Sequence, residues 1–214
     1  MSDAVKTIPE RSYIKFARDD PPPFKLQGYK QGTTLEGMLF PATYDVPPKT
    51  ASAYGLVKTQ LATFDAYFAK VDMRRARAAN LTEYDVVIIA SMIDREAQVP
   101  AERPVVAAVI WNRLRKGMLL QIDATVQYAL GKTKPVLTYN DLKIDSPYNT
   151  YKHLGLPPTP ISNPGLAALK AAANPTDDKY LYYVARNDGT GRHFFSTTYE
   201  QFLVDKAKSE ANAK

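Results

Sequence analysis

The sequence has no cysteine and only two histidines, His153 and His193. The first lack rules out a disulfide framework and any thiolate metal site. The second leaves too few imidazoles for a typical zinc site without carboxylate help, so neither a metal nor a cofactor is expected. Long apolar runs are also missing: the longest, Val86 to Ile93, falls well short of the roughly 20 residues a bilayer-spanning helix requires. With no charged-then-apolar leader either, the sequence as given reads as soluble and shows no export signal. There is no Gly-rich phosphate loop, no Ser nucleophile elbow and no His-Glu-x-x-His helix, which sets aside the common nucleotide, acyl-transfer and metalloprotease chemistries. Basic residues form no run. A net charge of +6 and a pI near 9.3 would suit an acidic polymer, but the Lys and Arg residues are scattered, so nucleic acid is not the expected partner.

What is present suits one sizeable domain, or one domain with a small appendage, in 214 residues that are 45% hydrophobic and 23% charged. The most informative stretch is Ala90-Ser91-Met92-Ile93-Asp94-Arg95-Glu96-Ala97. Thr82 and Asp85 read as the cap of a helix that is apolar nearly all round through Ile93 and therefore buried. A carboxyl at the end of such a helix loses water and meets the negative end of the helix dipole. Both raise its pKa toward what a general acid needs. Asp94 and Glu96 are two residues apart, roughly 200° around a helix, so they cannot share a face. Glu96 follows Ile89, Met92 and Ile93 at core-facing spacings, which leaves Asp94 the supporting or solvated role. The plainer alternative is that these charges only end the helix and pair with Arg103 or solvent.

Along the chain, residues 1–34 read as irregular, with Asp19-Asp20-Pro21-Pro22-Pro23 extended. A long amphipathic helix is expected from a cap at Thr50 to about Ala79, broken near Asp72. A second is expected from Arg103 to Lys116 and stopped by Gly117. Met118 to Ile122 suggests a short strand, Asp123 caps a brief helix ending near Gly131, and Asn163-Pro164 starts another through Ala173. Tyr180–Arg186 and His193–Ser196 flank the hairpin signal Asn187-Asp188-Gly189-Thr190-Gly191, before a helix capped by Thr197 or Thr198. The sum is a helix-rich α+β domain with a small antiparallel sheet. The Pro- and Tyr-rich loop from Lys132 to Asn163 has the length of a functional one. Gln121, Asp123 and Thr125, with Tyr148, Asn149 and Thr150, offer the amides, hydroxyls and rings a sugar site uses. A helix cap at Asp123 and a packed loop at Tyr148–Tyr151 are the plainer readings. His193 beside Phe194 and Phe195 reads as structural before it reads as a base.

Taken in order, several motifs resemble one known family. They are Leu35-Glu36-Gly37-Met38-Leu39-Phe40-Pro41-Ala42-Thr43-Tyr44, the Ala90–Ala97 segment, Asn112-Arg113-Leu114, Leu120-Gln121-Ile122-Asp123-Ala124-Thr125-Val126, Ser146-Pro147-Tyr148-Asn149-Thr150-Tyr151, Gly155-Leu156-Pro157-Pro158 and His193-Phe194-Phe195. The family is that of the membrane-anchored endolytic murein transglycosylases, the YceG-like proteins. The resemblance runs from about residue 35 to the end. It departs in having Asp94-Arg95-Glu96 for the usual Glu-Lys-Glu, and Ala124 where a proline is usual.

The resemblance implies lytic cleavage of the β-1,4 bond between N-acetylmuramic acid and N-acetylglucosamine within peptidoglycan glycan strands, leaving 1,6-anhydromuramyl ends. The catalytic glutamate falls on Glu96. Gln121, Asp123, Thr125, Tyr148, Asn149 and Thr150 become substrate-binding candidates, and Asp94, Glu36 and His193 supporting ones. Residues 1–34 become a linker or the remnant of an upstream LysM-like region, and 35–214 the catalytic domain. The full-length protein is then expected at the outer face of the bacterial cytoplasmic membrane, held by an anchor this chain lacks, with glycan strands as substrate and peptidoglycan synthases of the elongation machinery as partners. A hydrolytic muramidase pairing Glu96 with Asp94 or Asp123, and a glycan-binding scaffold without turnover, are the alternatives.

Overall fold

The computed structural model describes residues 8–19, 21–47 and 51–213. Asp20, Pro48 and the expected cap Thr50 lie outside the described residues. At the centre is helix α4 (Glu83–Glu96), in which Tyr84 and every residue from Val86 to Ile93 are buried. The Thr82 hydroxyl accepts the Asp85 amide at 3.1 Å while the Asp85 carboxylate accepts the Thr82 amide at 2.8 Å, the reciprocal cap that the sequence suggests. Val86-Val87-Ile88-Ile89 is a poor helical run, each residue costing up to about 0.7 kcal/mol relative to Ala. Burying each side chain contributes about 1.5–3 kcal/mol, so tertiary packing decides the conformation.

Helices α5 (Arg103–Arg115) and α7 (Leu166–Ala173) pack on α4 and on each other, and the Trp111 indole donates to the Ala172 carbonyl at 3.1 Å. Within α4, the Ser91 hydroxyl donates to Ile88 O and accepts the amide of Ile161 at 3.0 Å. That bond draws the far end of the 132–163 loop across the central helix. Strands β1 (Tyr182–Ala185) and β2 (His193–Ser196) form an antiparallel hairpin with Tyr183 opposite Phe195. It is packed against α8 (Tyr199–Asn212), which Thr198 caps by accepting the Gln201 amide. The architecture is the expected helix-rich α+β.

Four local expectations are corrected. The 1–34 stretch is not wholly irregular, because Glu10–Asp19 is a helix, α1, that packs on α2 (Ala53–Phe68). Phe16 meets Tyr54 with ring centroids 5.4 Å apart, and the Tyr13 hydroxyl donates to Gln60. The long helix is broken near Asp72 as its pattern suggests, into α2 and α3 (Arg74–Ala78), but the cap of α2 is Ser52 rather than Thr50. Between them the Asp72 carboxylate takes the Arg74 amide and restarts the chain. Met118–Ile122 forms no strand: the Gln121 and Ile122 amides both go to Thr150, one to its carbonyl and one to its hydroxyl, which makes no ladder. Asn163 does not cap α7, which begins after Gly165. Its side-chain oxygen instead accepts the amides of Gly37 and Leu39 at 2.8 and 3.0 Å.

That last contact fixes the Leu35–Tyr44 motif against α4. Gly37 has φ +91°, and a Cβ there would stand 2.4 Å from Pro160 Cγ and 2.8 Å from Val87 Cγ1. Gly32 has nearly the same φ, +89°, with nothing within 4 Å, so the pair separates backbone strain from crowding. Gly32→Ala should cost about 1 kcal/mol through strain alone, and Gly37→Ala about 2 kcal/mol more through overpacking. Equal losses in urea unfolding would mean that the approach to Pro160 is not tight.

Candidate active site

The site forms where α4 ends. Ala97, at the C-cap, turns to extended backbone, so the Glu96 side chain leaves the helix toward α6 (Asp123–Leu130) and the hairpin. Oε1 of Glu96 accepts the Ala124 amide at 3.3 Å, and Oε2 accepts the Tyr183 hydroxyl at 3.2 Å. Glu96 is half-buried and lines a cleft of about 630 Å3 together with Gln98, Val136, Arg192 and His193. Burial pushes its carboxyl pKa above the ordinary glutamate range, and the nearby Asp123 charge adds to that. The Ala124 and Tyr183 donors and the His193 charge pull the other way and do not overcome it. A carboxylic acid that holds its proton above the ordinary glutamate range, in the wall of a cleft, suits the chemistry of a general acid.

Asp94 faces away from this point. It is exposed, and its oxygen lies 3.9 Å from the Arg103 guanidinium, so the helical angle separates the two acids as the spacing predicts. Asp123 is the first residue of α6 rather than its cap, the cap position being Ile122. It is exposed, and its carboxylate accepts the Tyr151 hydroxyl at 2.5 Å. Burial and the negative charges of Asp123 and Glu96 raise the Tyr151 phenol pKa, so Tyr151 remains a donor.

The other sugar-site candidates divide by burial. Gln121 is exposed, at φ +53°, with its side-chain oxygen taking a 3.2 Å hydrogen bond from Arg113. Thr125 and Thr150 are buried and share a 2.9 Å hydroxyl contact. Thr150 also accepts the Ile122 amide through its hydroxyl and the Gln121 amide through its carbonyl. Asn149 is fully buried, its amide nitrogen donating to Leu142 O and Ile144 O, both at 2.9 Å. These three side chains lie inside the wall of the site, with their polar atoms taken up by the loop itself. Thr125 turns inward because the alternating pattern of 121–125 becomes helical at Asp123. Tyr148 stacks obliquely on Tyr128 at 4.8 Å and bonds Thr159 through its hydroxyl. Glu36 accepts the Tyr128 hydroxyl at 2.6 Å, and burial raises its pKa. His193 is buried, its Nδ1 lies 2.8 Å from Glu102 Oε2, and Glu102 also accepts its amide. It meets Tyr183 edge-on at 5.4 Å.

Two contributors have no role that the sequence assigns, although Arg113 stands in the Asn112-Arg113-Leu114 motif. Tyr183 is the hydroxyl partner of Glu96, and its position one residue into a strand gives no hint of that. Burial and the adjacent carboxylate push its pKa well above the ordinary phenol range, so it stays a donor. Arg113 is buried with no carboxylate in its hydrogen-bond shell. Its Nε donates to Leu181 O at 2.6 Å, and Nη1 donates to Leu119 O and Leu120 O at 3.0 and 2.8 Å. The guanidinium thereby ties α5, the segment leading to α6 and the strand carrying Tyr183. Among the described residues no group of three or more His, Asp or Glu side chains could hold a metal ion.

The sequence model of the YceG-like family matches residues 3–208. The chain is 41% identical over 157 residues to the endolytic murein transglycosylase of Bacillus subtilis (strain 168), an alignment covering 72% of this chain and 43% of that protein. It is 36% identical over 160 residues to the endolytic murein transglycosylase of Streptococcus pneumoniae (serotype 2, strain D39), covering 71% and 28%. The chain thus spans less than half the length of either relative. A YceG-like protein of Listeria monocytogenes of known crystal structure has the same fold, with a TM-score of 0.76 at 36% identity, over 94% of this chain and 66% of that one.

Two titrations test the electrostatics. Tyr183→Phe removes a donor that favours the ionised carboxylate, so the Glu96 titration followed by carboxyl-carbon NMR should move to higher pH. A shift to lower pH, or none, would show that the hydroxyl does not engage Oε2. Because the folded-state pKa of Glu96 is raised, its contribution to stability is complete below the ordinary glutamate pKa and is lost as pH rises through the folded value. Glu96→Gln should therefore gain stability relative to wild type across that interval in parallel melts. A difference independent of pH would contradict the raised pKa.

Proposed function

The chain belongs to the YceG-like family, and from that membership we propose that it is a peptidoglycan lytic transglycosylase, a lyase that cuts glycan strands internally. The observation that carries the reading is the Glu96 carboxyl: proton-retaining, held by Ala124 and Tyr183, and open to a cleft. Glu96 protonates the glycosidic oxygen as the bond from the muramyl anomeric carbon breaks and an oxocarbenium-like centre develops. The same carboxylate then accepts the proton of the muramyl 6-hydroxyl as that oxygen bonds to the anomeric carbon. The product carries a 1,6-anhydro ring, and the acid is restored without water. Since the sugar supplies its own nucleophile, no second carboxylate is needed at the roughly 5–9.5 Å separation of ordinary glycosidases.

In this reading Tyr183 and the Ala124 amide position Glu96. Gln121, Asp123 and Tyr148 contact substrate, while Thr125, Asn149 and Thr150 shape the loop that presents them. Glu36 and His193 support it from behind, and Asp94 supports it only at a distance, through its pair with Arg103. The division of the chain into residues 1–34, a linker or the remnant of an upstream LysM-like region, and a catalytic part, residues 35–214, belongs to the same proposal. So do action at the outer face of the cytoplasmic membrane, an anchor elsewhere in the full-length protein and association with peptidoglycan synthases. No helix among the described residues is long and apolar enough to cross a membrane.

Mass analysis of products from purified glycan strands tests the reaction. Wild type should release anhydro ends, and Glu96→Gln should lose at least the factor of about 10² to 10⁴ that acid-base help supplies while keeping its fold. Products heavier by one water would identify a hydrolase instead, and binding without new ends would identify a scaffold. Asp123→Asn removes a charge that raises the Glu96 pKa, so the basic limb of the pH–rate profile should move to lower pH with anhydro product retained. Complete loss of turnover in that variant would make Asp123 an obligate partner and favour the two-carboxylate alternative.

A further inference from the structure

The amide that holds Glu96 belongs to Ala124, and across that hydrogen bond Ala124 lines a second cleft, of about 420 Å3. Arg95 and Lys132 stand on its wall, both exposed. Arg95 is in the last turn of α4, and Lys132 follows Gly131, the C-cap of α6. Cations are favoured at both places by the helix dipole. Lys134, two residues on from Lys132, is by contrast neutralised, 2.5 Å from the Asp141 carboxylate, and Arg103 at the start of α5 faces Asp94. Among the described residues neither the Arg95 nor the Lys132 side chain has an ion-pair or hydrogen-bond partner. Tyr128 in the same wall is bonded to Glu36, so that acid is already engaged. If the cleft holds part of a glycan strand, as the lyase reading requires, its two unmatched positive charges suit a sugar that carries a negative one.

An enzyme that cuts within a strand must hold sugars on both sides of the bond it breaks, and the Glu96–Ala124 contact lies between the two clefts. Muramoyl residues alternate with N-acetylglucosamine along the strand. Each bears a lactyl arm ending in a carboxylate, either free or extended by a stem peptide that has carboxylates of its own. We propose that this second cleft is the subsite for the carboxylate-bearing arm of a muramoyl residue, with Arg95 and Lys132 as its counter-charges. The proposal rests on the lyase reading and adds to it a preference for charge along the strand.

The test uses Glu96→Gln as the background, so that nothing turns over, and adds Arg95→Gln with Lys132→Gln. Three probes are titrated calorimetrically: amidase-stripped strands with free lactyl carboxylates, the same strands with those carboxylates converted to methylamides, and strands with stem peptides intact. Two exposed ion pairs are worth about a threefold to tenfold change in affinity. The added substitutions should produce that loss on stripped strands, none on methylamide strands, and a smaller loss at high salt. A loss on intact strands but not on stripped ones would assign the charges to the stem peptide rather than the lactyl group, and both belong to the proposed arm. Equal affinities on every probe, or the same loss on methylamide strands, would overturn the subsite. Wild-type product analysis is independent of this result: charge-selective binding without anhydro ends would sink the lyase and leave the subsite standing.

Discussion

The site depends on one buried cation. Arg113 has no acid to neutralise it and directs its donors at main-chain carbonyls on either side of α5. Asn112 beside it does the same to Asp178 O and Tyr180 O, at 2.9 and 2.8 Å. Together they moor the entry to β1 and the 119–121 segment to a single helix. A guanidinium deprived of water requires hydrogen-bond compensation, so displacing either segment would strand it. The relative placement of Tyr183 and Ala124, the two groups that grip Glu96, follows from that requirement.

Around Glu96 the opposing effects are local and legible. Loss of solvent and a neighbouring carboxylate favour the neutral acid, while one amide, one phenol and a buried histidine favour the anion. Neither set acts alone, and a group that served as acid and then as base in one cycle, as proposed above, would need such a balance. A carboxyl without donors would give up its proton too reluctantly to act as an acid, and one without burial would not hold it to begin with. Glu102 contributes at one remove, fixing His193 through both its ring and its amide.

Short-range physics was readable in the sequence, and long-range assembly was not. The Thr82–Asp85 cap, the buried run of α4, the divergence of Asp94 from Glu96 and the hairpin all follow from spacing and turn chemistry within a few residues. Helix α1 was hidden because the prolines after it dominate the segment, and its apolar face is meaningful only once Phe16 meets Tyr54. Asn163 has the look of a helix cap, yet its partners are Gly37 and Leu39, more than 120 positions away in sequence. Tyr183 and Arg113 escaped for the same reason. The family resemblance pointed to Glu96 and to the loop residues, but only coordinates separate Gln121 and Asp123 at the surface from Thr125, Asn149 and Thr150 within the wall.

Many of the ties in this region join a side chain to a main-chain carbonyl or amide: Arg113 to the 119–120 segment and Leu181, Asn112 to residues 178 and 180, Asn149 to residues 142 and 144, Asn163 to residues 37 and 39. Such a fastening constrains one party only. Every residue type offers a carbonyl, and all but proline an amide, so the receiving positions can drift in identity while the fastening persists. The tolerance of the region to random replacement is therefore lopsided, narrow at four polar donors and acceptors and wide at the many positions they hold.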